Sequence, residues 1–187
     1  MFEGLDGTGK STQLRMLRSV VDEGSVVFAH MPTGFVPFTR RVSCALEVDG
    51  EKPSSGLAQQ LAHLACHAES MEHLVDAVEA GALVLDRWWW STFAYGWYGG
   101  SVEQSGLSEE SFRDLVQTIW HPIAPSLVFV LLEPHQLDSS NTDGVEAGYY
   151  TLIQQNPDLA VVVPNDTPAR THDFVIETLS RRGLTDW

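Results

Sequence analysis

Residues 4–11 read Gly-Leu-Asp-Gly-Thr-Gly-Lys-Ser: a glycine, four residues, then Gly-Lys-Ser. Glycines let the main chain curl until its N–H groups point inward, which makes a cradle for phosphate oxygens. A helix beginning at the lysine adds the positive end of its dipole. Such a loop works only between a strand and a helix, so it commits the chain to a β–loop–α unit. Residues 1–3 supply a strand stub, and Lys10 to about Glu23 reads as a helix closed by Gly24. Gly4, Gly7, Thr8, Gly9, Lys10, Ser11 and Thr12 are then expected to hold a nucleoside triphosphate. In that reading Lys10 reaches the β- and γ-phosphates and Ser11 ligates Mg²⁺, so ATP and Mg²⁺ are the expected cofactors.

The rest of the chain repeats the same alternation. SVVFAHM (25–31), ALVLD (82–86), SLVFVLL (126–132) and LAVVV (159–163) are apolar runs of strand length. Runs this continuous belong to strands covered on both faces. Helices are expected at 37–48, 108–120 and 145–155, and in a last segment capped by Thr167 with Pro168 at its first position. A loop at 49–56 precedes a long helix. Its stripe of Leu57, Leu61, Leu64, Ala68, Met71, Val75 and Val78 steps by three and four, and Gly81 ends it. Strands alternating with helices predict an α/β fold: three layers, with a five-stranded parallel sheet flanked by helices. Ligands of such folds bind beyond the carboxyl ends of the strands.

Length and charge narrow the function. The 187 residues suit one domain, 1–187, with no linker or repeat. No apolar run reaches the roughly 18 residues of a membrane span, and the N-terminus lacks the pattern of a secretory signal, so a cytoplasmic location is expected. Cys44 and Cys66 follow no metal-binding spacing and read as free thiols. Eleven Lys and Arg against 25 Asp and Glu give −14, which opposes broad nucleic-acid binding. The only lysines are Lys10 and Lys52, so an anionic substrate depends on these, a few arginines, or backbone N–H groups.

Asp86-Arg87 closes the third strand and is followed by WWWSTFAYGWYGG. Asp86 is placed to organise Mg²⁺ or a substrate hydroxyl, and Arg87 to grip an acceptor phosphate. With these residues the chain resembles the thymidylate kinase family. FEGLDGTGKSTQ is similar to that family's phosphate loop, DRWWWSTFAYGWYGG to its Asp-Arg-aromatic signature, and HMPTGFVPFTRRV to the loop and helix after its second strand. VEAGYYTL with NPDLAVVVPND resembles its closing helix and strand. The resemblance implies transfer of the γ-phosphate of ATP to a pyrimidine deoxynucleoside monophosphate. It implies that Asp6 contacts acceptor or magnesium, Arg87 the acceptor phosphate, Ser91 and Tyr95 the acceptor pocket, and that Asn165 and Asp166 lie near adenine. It also suggests a homodimer, for which the stripe of the long helix is the candidate interface.

Three departures qualify that resemblance. The family's acceptor-binding helix carries a stacking aromatic and, four residues on, an arginine; here His63 and His67 stand there, an imidazole to stack and, if protonated, one to bind an anion. Solvent-facing histidines, or a metal site completed by Cys66, are the other readings. The expected lid, 133–144, holds no Lys or Arg. A cation at the transferring group must then come from Arg15, Arg40 or Arg41, with Arg40 or Arg41 preferred, or from a partner. Trp88, Trp89 and Trp90 line the acceptor pocket or fill the core. Two other functions stay open: a kinase for the hydroxyl of a nucleoside or of a hydroxymethylated base in DNA, and a nucleotide-binding protein without catalysis.

Overall fold

The computed structural model describes residues 1–22, 24–48 and 50–185. Five parallel strands form one sheet: β1 (Phe2–Gly4), β2 (Val26–His30), β3 (Ala82–Asp86), β4 (Val128–Leu131) and β5 (Ala160–Val162), in the order β2-β3-β1-β4-β5. The alternation of apolar runs and helices is what produces this arrangement, because a parallel neighbour can be reached only by a crossover. The helices are α1 (Lys10–Arg18), α2 (Pro37–Glu47), α3 (Gly56–Ala80), α4 (Trp89–Phe93), α5 (Glu109–Trp120), α6 (Asp143–Gln155) and α7 (Pro168–Arg181).

The sheet buries a core on each face. Leu17 of α1 and Val175 and Leu179 of α7 pack with Phe2, Phe129 and Leu131 on one side. On the other, Leu64 and Leu74 of α3, Phe112 and Val116 of α5 and Tyr149 and Leu152 of α6 close around Leu85, Trp90 and Phe93. The strand stub at the start of the chain is the middle strand: Glu3 and Gly4 lie in register with Val130 and Leu131 of β4. Gly4 sits there at φ 126, and a Cβ would lie 1.9 Å from the Leu131 carbonyl oxygen, so no other residue fits.

Several boundaries differ from the expectation. α1 ends at Arg18, with Ser19 capping it through N–H bonds to Met16 and Leu17, whereas the sequence carries it to Glu23, which lies outside the described residues. Asp49, in the expected loop 49–56, lies outside them too. No element was assigned to the aromatic run after Arg87, yet it forms α4 and then a wider π-turn, Ala94–Tyr98.

The stripe on α3 also needs correction. Leu64 is buried and Leu57, Met71 and Val75 are half-buried against the core, but Leu61, Ala68 and Val78 are exposed. The fully buried face is instead Gln60, Leu64, Cys66, His67, Ser70, Leu74 and Ala77. It is polar because part of α3 faces a cavity. Among the described residues no helix is long and apolar enough to cross a membrane.

Candidate active site

The carboxyl ends of β1, β3 and β4 meet at one edge of the sheet, and the loop 4–11 rises there from β1. Gly7 and Gly9 take the left-handed conformation, at φ 74 and 91. That curl brings α1 up beneath the cradle, with Gly9 preceding its first residue. Thr8 is buried and its hydroxyl donates to the Leu5 carbonyl, while Thr12 opens α1 beside Ser11. Lys10 is buried as well, and its ammonium donates to the carbonyls of Gly4 and Leu5. Burial, and then the nearby Arg87 guanidinium, lower its pKa to about 8.

Arg87 follows β3 with φ 71, a conformation rarely adopted by a residue with a side chain. Its guanidinium pairs with the Asp6 carboxylate, donates to the Ser91 hydroxyl at 2.8 Å and lies over the Tyr95 ring. Burial opposes its charge, but Tyr149, Tyr95, Asp6 and Glu3 together raise its pKa above that of an ordinary arginine.

Glu3, fully buried in the central strand, underlies this group. Its carboxylate accepts from the Trp88 and Ser91 amides, the Ser91 hydroxyl and the Tyr149 hydroxyl. Burial pushes its pKa up, and those hydrogen bonds and Arg87 pull it back. Glu3 therefore fixes the turn 88–91 and, through Ser91, the direction of Arg87. A carboxylate alternating within an apolar strand was the only sequence signal for it.

Asp86 ends β3 close to α1. One of its oxygens lies 3.5 Å from the Ser11 hydroxyl and 3.2 Å from His30 Nδ1; the other is buried without a hydrogen-bond partner. Burial would raise its pKa, but His30, Lys10 and Arg87 hold it below the usual carboxylate range. A hydroxyl and a carboxylate with a free, buried oxygen are the hard donors that Mg²⁺ prefers. The residues at this point, Ser11 and Asp86, therefore fit the ion. Arg15 and Arg18 line the same small cavity with Ser11, His30 and Asp86.

A larger cavity, about 770 Å³, opens on the other side of Asp6 and Arg87. Ser91, Thr92 and Tyr95 of the α4 region line it, as do Gln60, His63 and His67 of α3. The substrate residues expected from the sequence thus converge, with Asp86 set to one side at the metal-like position. Trp88 forms part of the wall, while Trp89 and Trp90 belong to the core. His67 is not solvent-facing: it is 3 % exposed, and burial lowers its pKa to about 3. Burial therefore opposes the protonated form that an anion site at His67 would need. Burial, then Lys52 and Arg87, lowers His63 to about 4. Cys66 turns away, its thiol reaching the Thr39 carbonyl, and among the described residues no cluster of three such side chains could hold a metal.

One expectation is not met in place. Arg40 is exposed and donates to the Gly34 carbonyl, Arg41 is exposed, and neither lines either cavity. Helix α2 points them along the surface, so Arg15 is the alternative that reaches the site. Asn165 donates to Glu133, and Asp166 accepts from the Thr167 amide in the loop after β5. Asn165 thereby meets the foot of the 133–142 segment.

That segment replaces a lid with a strap. The His135 amide donates to the Gly7 carbonyl, and the side chain of Gln136 lies against Gly7. Asn141 grips the main chain of one phosphate-loop residue: its Oδ1 accepts from the Asp6 N–H and its Nδ2 donates to the Asp6 carbonyl, each at 2.8 Å. The Tyr95 hydroxyl joins the same Asn141 oxygen, and the Ser140 hydroxyl donates to the Asp6 carboxylate. Nothing in a polar loop sequence announces such pairing.

A family model described as thymidylate kinase matches residues 2–137 and so ends inside the strap. The chain is 27 % identical over 208 residues to the thymidylate kinase of Chlorobaculum parvum, covering 95 % of this chain and 93 % of that protein. It is 30 % identical over 169 residues to that of a Synechococcus strain, covering 83 % and 77 %. The solved thymidylate kinase of Ehrlichia chaffeensis superposes with a TM-score of 0.77 over 96 % of both chains at 24 % identity.

Proposed function

The chain belongs to the thymidylate kinase family, and on that premise we propose that it moves the γ-phosphate of ATP onto the phosphate of thymidylate or a modified analogue, with Mg²⁺. One observation carries the reading. Asp6 and Arg87 stand between the phosphate loop and the 770 Å³ cavity, so a donor on one side and an acceptor on the other share a boundary.

The chemistry follows from that boundary. An acceptor phosphate oxygen attacks the γ-phosphorus in line. The bond from that phosphorus to the bridging oxygen breaks, and ADP leaves with the electron pair. No covalent intermediate and no obligatory proton transfer are involved, so the protein's work is placement and charge. The amides of the loop from Gly7 to Ser11 surround the donor phosphates. Lys10 exchanges the Gly4 and Leu5 carbonyls for phosphate oxygens. Arg87 offers its planar fork to the acceptor phosphate, for which its bond to Ser91 orients it. Mg²⁺ held by Ser11 and Asp86 would neutralise charge on the β- and γ-oxygens. Arg15 is the added cation at this edge. Asn165 and Asp166 flank the adenine side, and the exposed edge of α3 at Leu61, Ala68 and Val78 is the surface for self-association.

The test is ADP release with ATP and Mg²⁺ over a panel of nucleoside monophosphates, nucleosides and hydroxymethylated DNA, with product masses. A thymidine diphosphate product is expected. ATP binding without any phosphorylated acceptor would replace this reading by the non-catalytic one, and a phosphorylated nucleoside or DNA would replace it by the hydroxyl kinase.

A further inference from the structure

The small cavity beside the phosphate loop holds one side chain that the transfer chemistry leaves without a task. His30 ends β2 in register with Asp86 at the end of β3, and the Met31 amide carries the pairing one residue further by donating to the Asp86 carbonyl at 2.9 Å. Matched residues of neighbouring parallel strands send their side chains to the same face, so the sheet itself brings this pair together. His30 Nδ1 lies 3.2 Å from Asp86 Oδ2, and the Ser11 hydroxyl lies 3.5 Å from the same oxygen. The other Asp86 oxygen is buried without a hydrogen-bond partner. All three residues line the one cavity, of about 280 Å³. These separations are long for direct contacts, since a charge-assisted N–H···O bond closes to about 2.7–2.9 Å. They suit ligands of a shared ion: two donors ~2.1 Å from one ion and at a right angle stand about 3.0 Å apart, and further for a larger ion or a wider angle.

We propose that His30 Nδ1 is a direct ligand of the nucleotide-bound metal ion, beside Asp86 and Ser11, and that this nitrogen turns the site toward a first-row transition dication such as Mn²⁺ in preference to Mg²⁺. The proposal rests on the metal–triphosphate reading above and adds to it a ligand and the class of ion. A carboxylate and a hydroxyl are oxygen donors, which suit Mg²⁺ and Mn²⁺ alike. Imidazole nitrogen is the donor that discriminates. Mg²⁺ keeps to oxygen and gives up water reluctantly, whereas affinity for nitrogen donors rises along the transition series. A lysine or arginine at the end of β2 would repel a dication; a neutral imidazole offers it a lone pair. To ligate, Nδ1 releases its hydrogen bond to Asp86 and the ring keeps its single hydrogen on Nε2. His30 has the freedom for this, because its side chain is 59 % exposed and its main chain is fixed in the sheet. Among the described residues no third histidine, cysteine or carboxylate joins the pair. The remaining positions of the ion therefore belong to triphosphate oxygens and water, and the ion binds tightly only together with the nucleotide.

The experiment is pulsed electron–nuclear double resonance on Mn²⁺ bound with ADP to the full chain, its histidines labelled with ¹⁵N. One directly bonded ¹⁵N should couple to the ion. Labelling separates it from the nitrogens of adenine, and the coupling should vanish in His30→Asn. Asparagine can keep an N–H on Asp86 but supplies no imidazole, so a role confined to holding Asp86 would survive this change. Competition between Mn²⁺ and Mg²⁺, read from the free Mn²⁺ signal, should show the preference for Mn²⁺ falling by about 10-fold or more in the variant, the scale on which residues supporting a metal site act. Circular dichroism checks that the variant is folded. The His135 imidazole comes close to Gly9 and is the internal control. A coupling that persists in His30→Asn, no ¹⁵N coupling in the wild type, or the same ion preference in both folded proteins would each overturn the proposal. The measurement needs no acceptor and no turnover. A His30 coupling in a protein that phosphorylates no acceptor supports the metal site and removes the kinase reading; a thymidine diphosphate product without the coupling does the reverse. Failure of Mn²⁺ with ADP to bind at all would overturn both.

Discussion

Lys10 offers a measurement that tests the phosphate cradle directly. Its ammonium is buried beside the Arg87 guanidinium, and only the carboxylates of Asp6, Asp86 and Glu3 support its charge. Its pKa is about 8, well below the ordinary lysine value of about 10.4. At pH 7 about nine-tenths of the molecules carry the charge, and at pH 9 about one-tenth do, by simple titration about that value. Bound triphosphate restores the charge by placing anionic oxygens against it. Binding at pH 9 must therefore take up about 0.9 proton, against about 0.1 at pH 7, and ATP affinity should weaken about 10-fold between the two. The sign is fixed: a lysine with a lowered pKa loses its charge as pH rises through 8, so affinity falls with rising pH. Isothermal titration calorimetry of ATP with constant Mg²⁺, in two buffers of different ionisation enthalpy at each pH, reads the proton directly. Lys10→Met should abolish the uptake. If the wild type binds with no proton uptake at pH 9 and an unchanged Kd, the reasoning about burial and Arg87 is refuted.

Other outcomes follow from neighbouring contacts. Arg87→Ala should raise the acceptor KM far more than it changes ATP affinity, with Arg87→Lys only partly restoring it; equal loss of ATP binding would remove Arg87 from the acceptor side. Arg15→Ala should lower kcat on the order of 10²-fold, the scale of a preorganised charge contact, whereas Arg40→Ala and Arg41→Ala should turn over normally. Glu3→Gln leaves one oxygen and an N–H to face four donors, so urea unfolding should show a loss of about 2–3 kcal/mol. Gly4→Ala should yield no folded protein by circular dichroism, because its methyl would coincide with the Leu131 carbonyl.

The comparison of sequence with structure divides by the range of the interaction. The sheet was legible because burial on both faces writes itself as continuous apolar runs, and the loop at 4–11 because its glycines answer a local backbone demand. Asp86 and Arg87 were legible by their place at a strand end. The buried face of α3 was not: Gln60 and His67 back onto a cavity and Ser70 meets the Thr33 hydroxyl, surroundings that exist only after distant segments have packed. The role of Glu3 was hidden for the same reason, since its four donors come from residues far along the chain. Arg40 and Arg41 lie on the surface outside both cavities, because chain order says nothing of how α2 is rotated.

The strap over the phosphate loop bears on timing. Enzymes that close a long flexible flap over each substrate must search for the closed arrangement and then wait for it to reopen. Here Asn141 holds Asp6 by both its N–H and its carbonyl, and His135 holds Gly7. Little conformational search remains at that edge, and correspondingly little mechanical gating. On the proposed function, a fixed rim of this kind predicts that nucleotides exchange at the pace set by their own contacts rather than by the reopening of a flap.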